Sequence, residues 1–317
     1  IDIAIGKIGV DLDDDKTVAM IKESKKLGAM ISKIELFMEE VDETWKYDDK
    51  DGGHTFRPLW LTSSICNRYL WNHGEKFVLM SASFLPIYVY CKMLGIDQDD
   101  VDFMELPSTF DPDRMKVYVE PMAAISSRNK KESLPKLVPE IRDILDANKG
   151  VKGIVHGVSY ELCRYIVDNV DNPRLFMHDG SADRQQKIKM FMEEESDLVL
   201  VSPSLERGIS LDDDLCRFVI IPKAPYLSLG DRITAARLYS GNIGGMWYKS
   251  MMLLAVLQGA GRAMRSEDDW CNVYILDDNI RAEMVNNYKL LPKWFRDRIR
   301  VGSWRDENIM SLEVMKD

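Results

Sequence analysis

From about residue 115 onward, short apolar runs alternate with longer stretches whose apolar positions recur every three or four residues. The first pattern predicts strands buried on both faces, and the second predicts amphipathic helices. The strands read as Lys116–Glu120, Gly153–His156, Arg174–Met177, Leu198–Val201, Phe218–Ile221 and Val273–Leu276. The helices between them read as Leu134–Ala147, Tyr160–Val170 and Asp183–Glu194, the last capped by Ser181. Pro135 falls early enough in its helix to be tolerated. Such alternation requires right-handed crossovers and a mostly parallel sheet with helices on both faces. Ligands on such sheets bind at the carboxyl ends of the strands, so the polar residues just after each strand are where function is sought.

Ahead of this region the pattern changes. Val18, Ile21, Met30, Ile34, Phe37, Val41 and Trp45 recur at helical spacing and predict one long amphipathic helix over residues 16–46. A polar, glycine-containing loop follows at residues 47–56. Residues 58–75 read as partly helical, and Phe77–Met80 as a short buried strand.

Composition narrows the class. A chain of 317 residues with 45% hydrophobic and 30% charged residues is an ordinary globular sequence, long enough for two domains. No apolar run approaches the roughly 18 residues that cross a bilayer, and no leader pattern opens the chain. Ile1 in place of Met fits an excised fragment. Cys66, Cys91, Cys163, Cys216 and Cys271 lie far apart without any C-x-x-C pair, which argues against a disulfide framework or a zinc site. They read as reduced cysteines of an intracellular protein. The net charge is −10, of which residues 1–55 carry −6. A protein that tracks a strand needs a local basic groove rather than a basic total, so the charge leaves nucleic-acid binding open.

The strongest chemical signal is Gln258-Gly-Ala-Gly261-Arg262-Ala-Met-Arg265, after the apolar run Met251–Leu257. On a continuous helix, positions 258, 262 and 265 are i, i+4 and i+7 and share one face. Gly259 and Gly261 each weaken a helix by about 1 kcal/mol relative to Ala, which suggests close approach to this backbone. Planar, permanently charged guanidinium groups suit oxygens that grow more negative during phosphoryl transfer. Two surface arginines in salt bridges are the plainer reading of the same string.

This segment, followed by an acidic turn and the strand ending at Asp277, resembles motif VI of the XPD/DinG-like superfamily 2 helicases. Ser202-Pro-Ser204-Leu-Glu206-Arg-Gly208-Ile-Ser210-Leu resembles motif V of that family, with Ser210 standing where the family has Asp. His156-Gly-Val-Ser159-Tyr160 resembles motif IV, and Lys223-Ala-Pro-Tyr226 the turn after motif V. Ser81-Ala82-Ser83 resembles motif III, and Pro292-Lys-Trp294-Phe295 the segment that ends the second motor domain. These matches run in the family's order over about residues 60–296.

The resemblance implies a RecA-like second motor domain at residues 108–317. Residues 1–107 would be the end of an accessory insertion and a remnant of the first motor domain. It implies arginine fingers at Arg262 and Arg265 with Gln258 beside them, and support of the ATP site by Glu206, Gly208 and Gly261. It implies DNA contacts from Ser159, Tyr160, Ser202, Ser204, Lys223 and Tyr226, and coupling through Ser81 and Ser83. Capping for Ser159, snorkelling for Lys223 and core-edge packing for Tyr226 are the competing local readings.

The expected partners are single-stranded or forked DNA and the first motor domain of the same parent, with no membrane. The expected cofactors are ATP and Mg2+, held mainly by that first domain, with no support for an iron–sulfur cluster. Localisation would be cytoplasmic in a prokaryote or virus and nuclear in a eukaryote. Gly6-Lys7 lacks the G-x-x-x-x-G-K-[ST] loop that cradles phosphates, and the acidic run Asp11–Asp15 lacks a preceding apolar strand. The chain is therefore expected to be inactive as an ATPase alone. A catalytically silent nucleic-acid-binding or scaffold protein on the same fold is the alternative. A hydrolase built on His54, His73, His156 and His178 is disfavoured, because they show no metal-ligand spacing.

Overall fold

The protein is described from a computed structural model that covers residues 15–48, 55–84, 86–180, 182–203, 211, 213–262, 264, 266–306 and 310–311. In chain order the first elements are helix α1 (Asp15–Glu40), strands β1 (Trp45–Asp48) and β2 (Thr55–Pro58), and helices α2 (Ser63–Tyr69) and α3 (Ile87–Leu94). Strand β3 (Met115–Ala123), helix α4 (Lys130–Ala147), strand β4 (Gly153–His156), helix α5 (Tyr160–Val170) and strand β5 (Leu175–Met177) follow. Next come helix α6 (Arg184–Glu193), strands β6 (Val199–Ser202) and β7 (Phe218–Ile221), and helices α7 (Arg232–Leu238) and α8 (Asn242–Ala260). Strand β8 (Cys271–Asp277), helices α9 (Asp278–Asn286) and α10 (Lys293–Arg296), and strands β9 (Ile299–Val301) and β10 (Met310–Ser311) complete the series.

The chain forms two compact units. The smaller draws its described residues from 1–76, 92–96 and 229–237. Its helix α1 stops at Glu40, short of the expected end at residue 46. The Asp42 carboxylate accepts from the Thr44 backbone at 2.8 Å and its hydroxyl at 2.6 Å, a local turn that competes with helix continuation. Trp45–Asp48 then pairs antiparallel with Thr55–Pro58. Phe37 of α1 meets Phe56 edge to face, with ring centroids 4.9 Å apart.

The larger unit contains residues 77–91, 97–228 and 238–317 and is built on one sheet. Its strand order is β10-β9-β3-β8-β7-β4-β6-β5. Every pairing from β9 to β5 is parallel, and only β10 runs antiparallel, against β9. The two-residue period of a strand divides its side chains between two cores. Val219, Ile221, Val273 and Ile275 join Met252, Val256 and Leu257 of α8 and Ile280 and Met284 of α9. Phe218, Ile220, Val155 and Val199 join Leu137, Ile141 and Ile144 of α4 and Leu162 and Ile166 of α5. Full burial of one such aliphatic side chain stabilises by about 1.5–3 kcal/mol, so the two helical layers hold the strand ends in fixed places.

Phe77–Met80 departs from its expected buried strand. Val78 and Met80 are 83% and 88% exposed, and the segment pairs with no strand among the described residues. Four consecutive apolar residues encode a strand covered on both faces, and the described residues supply no strand to pair with it.

Candidate functional site

The carboxyl ends of β4, β6 and β7 are neighbours in the sheet, and most of the motif residues gather there. Strand β4 ends in His156, which is fully buried. The chain turns through Gly157 and Val158, the latter at φ 63°, into Ser159. Ser159 caps α5, its hydroxyl accepting from the Leu162 amide at 3.2 Å. Strand β6 ends in Ser202, which is buried, and its carbonyl accepts from the Gly157 amide at 2.9 Å. That bond joins the motif IV and motif V segments where each leaves its strand.

His178, just beyond β5, is also fully buried. Its Nε2 lies 2.9 Å from the Ser202 hydroxyl, and its Nδ1 lies 3.0 Å from the Gly180 carbonyl and 3.5 Å from the Tyr160 hydroxyl. The Tyr160 ring meets the imidazole edge to face at 5.6 Å. Asp183 holds the turn that follows His178 by accepting from the Asp179 and Gly180 amides, both at 3.0 Å. Those backbone bonds, the Asp179 amide first, hold the Asp183 carboxyl below its ordinary range.

Strand β7 leads into the turn Lys223–Tyr226, and this turn is anchored by Asp277 at the end of β8. The Asp277 carboxylate is fully buried and accepts from the amides of Ala224 (2.8 Å), Asn279 (2.9 Å) and Ile125 (3.2 Å). Burial pushes its pKa up, while these hydrogen bonds pull it back down. Tyr226 stacks on Tyr248 of α8, with centroids 5.2 Å apart and planes 13° from parallel. Burial also raises the Tyr226 phenol well above its usual range.

The motif VI segment reaches the same strand ends through Gly259. Near the end of α8, Gly259 faces the ends of β4 and β7; a Cβ there would lie 3.6 Å from His156 Nδ1 and 3.8 Å from Ile221 Cδ1. These are ordinary contact distances, so the described neighbours do not demand glycine at 259. The helix does not continue through Arg262 as the spacing predicted. It ends at Ala260, and Gly261 caps it with φ −74° and ψ 4° while its amide donates to the Leu257 carbonyl at 2.9 Å. The Arg262 amide then donates to the Gly259 carbonyl at 3.3 Å, a tighter turn than an α-helix. The two glycines that weaken the helix account for its early end. Gln258 is half-buried on the last helical turn, and Arg262 is half-buried in the turn beyond it.

Ser204, Glu206, Gly208, Ser210 and Arg265, together with the expected cap Ser181, lie outside the described residues. Ser81 and Ser83 lie against a different neighbour. The Ser83 amide donates to the Ser81 hydroxyl at 3.3 Å, and Trp294 Nε1 donates to the Ala82 carbonyl at 3.1 Å. Sequence reasoning did not single out His178 or Asp277 as site residues. Their only signal is a lone polar residue at the carboxyl end of an apolar run. All five cysteines are free and buried. No group of three or more His, Cys, Asp or Glu suited to a metal ion occurs among the described residues, and no described helix is long and apolar enough to cross a membrane. The motif segments that reach these strand ends carry a guanidinium, an ammonium, a carboxamide and hydroxyls, donor types that suit phosphate oxygens rather than a cation.

Comparison with known proteins places this geometry. A family model described as a helicase C-terminal domain matches residues 142–298. The ATP-dependent DNA helicase CHL1 of Saccharomyces cerevisiae is 31% identical over 117 residues, which cover 32% of this chain and 13% of that protein. The ATP-dependent DNA helicase YoaA of Escherichia coli is 25% identical over 202 residues, covering 61% of this chain and 31% of that protein. The chain thus matches less than a third of the length of these curated relatives. A solved XPD helicase structure superposes with a TM-score of 0.55 at 18% identity, over 78% of this chain and 47% of that one, which shows the fold to be RecA-like. Residues 142–298 therefore form a helicase C-terminal domain of the XPD/DinG-like superfamily 2 type.

Proposed function

We propose that this chain is the C-terminal half of an ATP-dependent DNA helicase, supplying arginines to an ATP site and part of the grip on single-stranded DNA. One observation carries the reading. The end of α8, with Gln258 and the turn to Arg262, packs over the carboxyl ends of β4 and β7 through Gly259. The motif IV and motif V segments meet beside it at the Gly157–Ser202 hydrogen bond. Residues far apart in sequence thus share the sheet edge where parallel sheets bind ligands.

ATP with Mg2+, held mainly by the other motor domain of the natural protein, supplies the phosphoanhydride bond whose hydrolysis drives the cycle. The chain's own part is electrostatic. The Arg262 guanidinium presents fixed, permanently charged donors to phosphate oxygens, and Gln258 orients beside it. Arg265, Glu206, Gly208 and Gly261 belong to the same support by their motif positions. On the DNA side, Lys223 meets a backbone phosphate as a point charge. A base stacks on the face of Tyr226 opposite Tyr248. Ser159 and Tyr160 line the same path, Ser204 belongs to it by its motif position, and Ser81 and Ser83 couple it to the other motor domain. These 317 residues contain no G-x-x-x-x-G-K-[ST] loop, so the chain alone turns over no ATP.

The same absence favours a second reading, a silent nucleic-acid binder on this fold. The two separate in a strand-displacement assay on the longest natural protein that contains this segment. ATP-dependent separation of a forked DNA duplex is the expected result. Tight DNA binding by a folded protein that neither separates strands nor consumes ATP would establish the silent binder instead.

A further inference from the structure

We infer that His178 is a positioning residue for the nucleic-acid path, an inference that rests on the helicase reading above. The Gly180 carbonyl can only accept, so His178 Nδ1 carries the hydrogen that it donates across 3.0 Å. In the neutral ring Nε2 is then the acceptor, and the Ser202 hydroxyl 2.9 Å away donates to it. For the neutral ring the direction of each bond follows from which atoms can donate. The Gly180 carbonyl is itself held in place, because Asp183 pins the amides of Asp179 and Gly180.

This arrangement has a consequence for Ser202. With its hydrogen directed to His178, its oxygen can only accept from any other partner. A phosphate oxygen has no hydrogen to donate, so Ser202 is not a phosphate ligand. It is instead the link through which the imidazole sets the local backbone. The Ser202 carbonyl accepts from Gly157, which opens the turn to Ser159 and Tyr160. The imidazole also meets Tyr160 directly, edge to face at 5.6 Å and with the phenol oxygen 3.5 Å from Nδ1. One fully buried side chain on β5's carboxyl end thereby orients groups from α5 and β6 that the motif order assigns to DNA.

The test uses the longest natural protein containing this segment, and reads equilibrium binding of a fluorescent single-stranded oligodeoxynucleotide beside the thermal midpoint. His178→Gln places a carboxamide oxygen near the Nε2 position and keeps the acceptor for Ser202. It is expected to bind within about twofold of the parent. His178→Asn reaches only the Nδ1 position and loses that acceptor, and Ser202→Ala removes the donor. Each is expected to weaken binding about tenfold, the order of one lost hydrogen bond. The double variant should be no weaker than either single one. Because no cation is lost, the slope of log affinity against log salt should stay unchanged, whereas loss of a phosphate-bound cation lowers it by about 0.7. Parental binding with His178→Asn and Ser202→Ala unchanged would overturn the positioning role alone. Equal weakening by Gln and Asn would overturn it too, since the Ser202 acceptor would then not be what matters. Ser202→Ala provides the same reading if His178→Asn does not fold. A parent that binds no oligonucleotide would overturn the helicase reading and this inference together.

Discussion

Removing the Asp277 carboxylate should loosen the whole carboxyl edge of the sheet. Asp277 accepts from backbone amides of the segments after β3, β7 and β8, and from the Asn279 side chain at 2.9 Å. Two of those amide donors, on Ala224 and Ile125, belong to buried residues. A buried donor left without an acceptor costs about 1–3 kcal/mol, so Asp277→Ala should lower unfolding stability by about 3–5 kcal/mol. Asp277→Asn keeps one acceptor oxygen but turns an amide donor toward the remaining N–H groups, and should cost about 2–3 kcal/mol. The pH dependence has a definite sign. Burial raises the folded pKa of this carboxyl above its unfolded value near 3.8. Its contribution to stability is therefore largest below that unfolded value and declines as pH rises through the folded pKa. The stability gap between the parent chain and Asp277→Asn should narrow over that interval and stay constant above it. Urea unfolding at several pH values measures the gap, and amide hydrogen exchange at Ala224 reports the loosened turn. A loss below about 1 kcal/mol for Asp277→Ala, or unchanged protection at Ala224, would refute the assignment.

Two further perturbations test the frame that carries this edge. Arg217 pairs with buried Asp269 and, at 2.8 Å, with Asp214, while its guanidinium lies 5.1 Å from the Trp270 ring. Arg217→Ala should cost about 3–5 kcal/mol by leaving Asp269 without its guanidinium, and the Arg217→Ala, Asp269→Ala double variant should melt closer to the parent than the single one. Gly153 lies beside Phe218 in the sheet, so close that an added Cβ would overlap the Phe218 ring. Gly153→Ala should cost about 1–3 kcal/mol, and a double-mutant cycle with Phe218→Leu should recover part of it; simple additivity would exclude the clash.

The sheet was legible because buried parallel strands are written as short apolar runs. Gly153–His156, Tyr160–Val170 and Phe218–Ile221 occupy the positions the pattern predicts. Strands β9 and β10 left too little pattern, with three and two residues, and Ile299–Val301 carries a polar residue at its centre. The helical period over Asp15–Glu40 was legible, but its end was not, because the Asp42–Thr44 turn is decided by two side-chain bonds that periodicity does not encode. The same limit applies to Arg262. Helical spacing put it on one face with Gln258, whereas the backbone leaves the α-helix at Ala260. Phe77–Met80 was read as buried from its four apolar residues, and its exposure shows that such a run specifies a strand without supplying the strand's neighbours. The motif order pointed to the segments that hold Ser159, Tyr160, Lys223, Tyr226 and Gln258, and the fold brings these segments to the carboxyl ends of neighbouring strands. His178 and Asp277 are single polar residues whose importance arises from where the sheet order puts them.

The central claim is that Arg262 acts on ATP held by another motor domain. Its most direct test is the rate of single-stranded-DNA-stimulated ATP hydrolysis by the longest natural protein containing this segment, with and without Arg262→Ala. The expected result is a fall in kcat of about a thousandfold or more, with affinity for single-stranded DNA unchanged. Stimulated turnover at the parental rate in Arg262→Ala would contradict the claim.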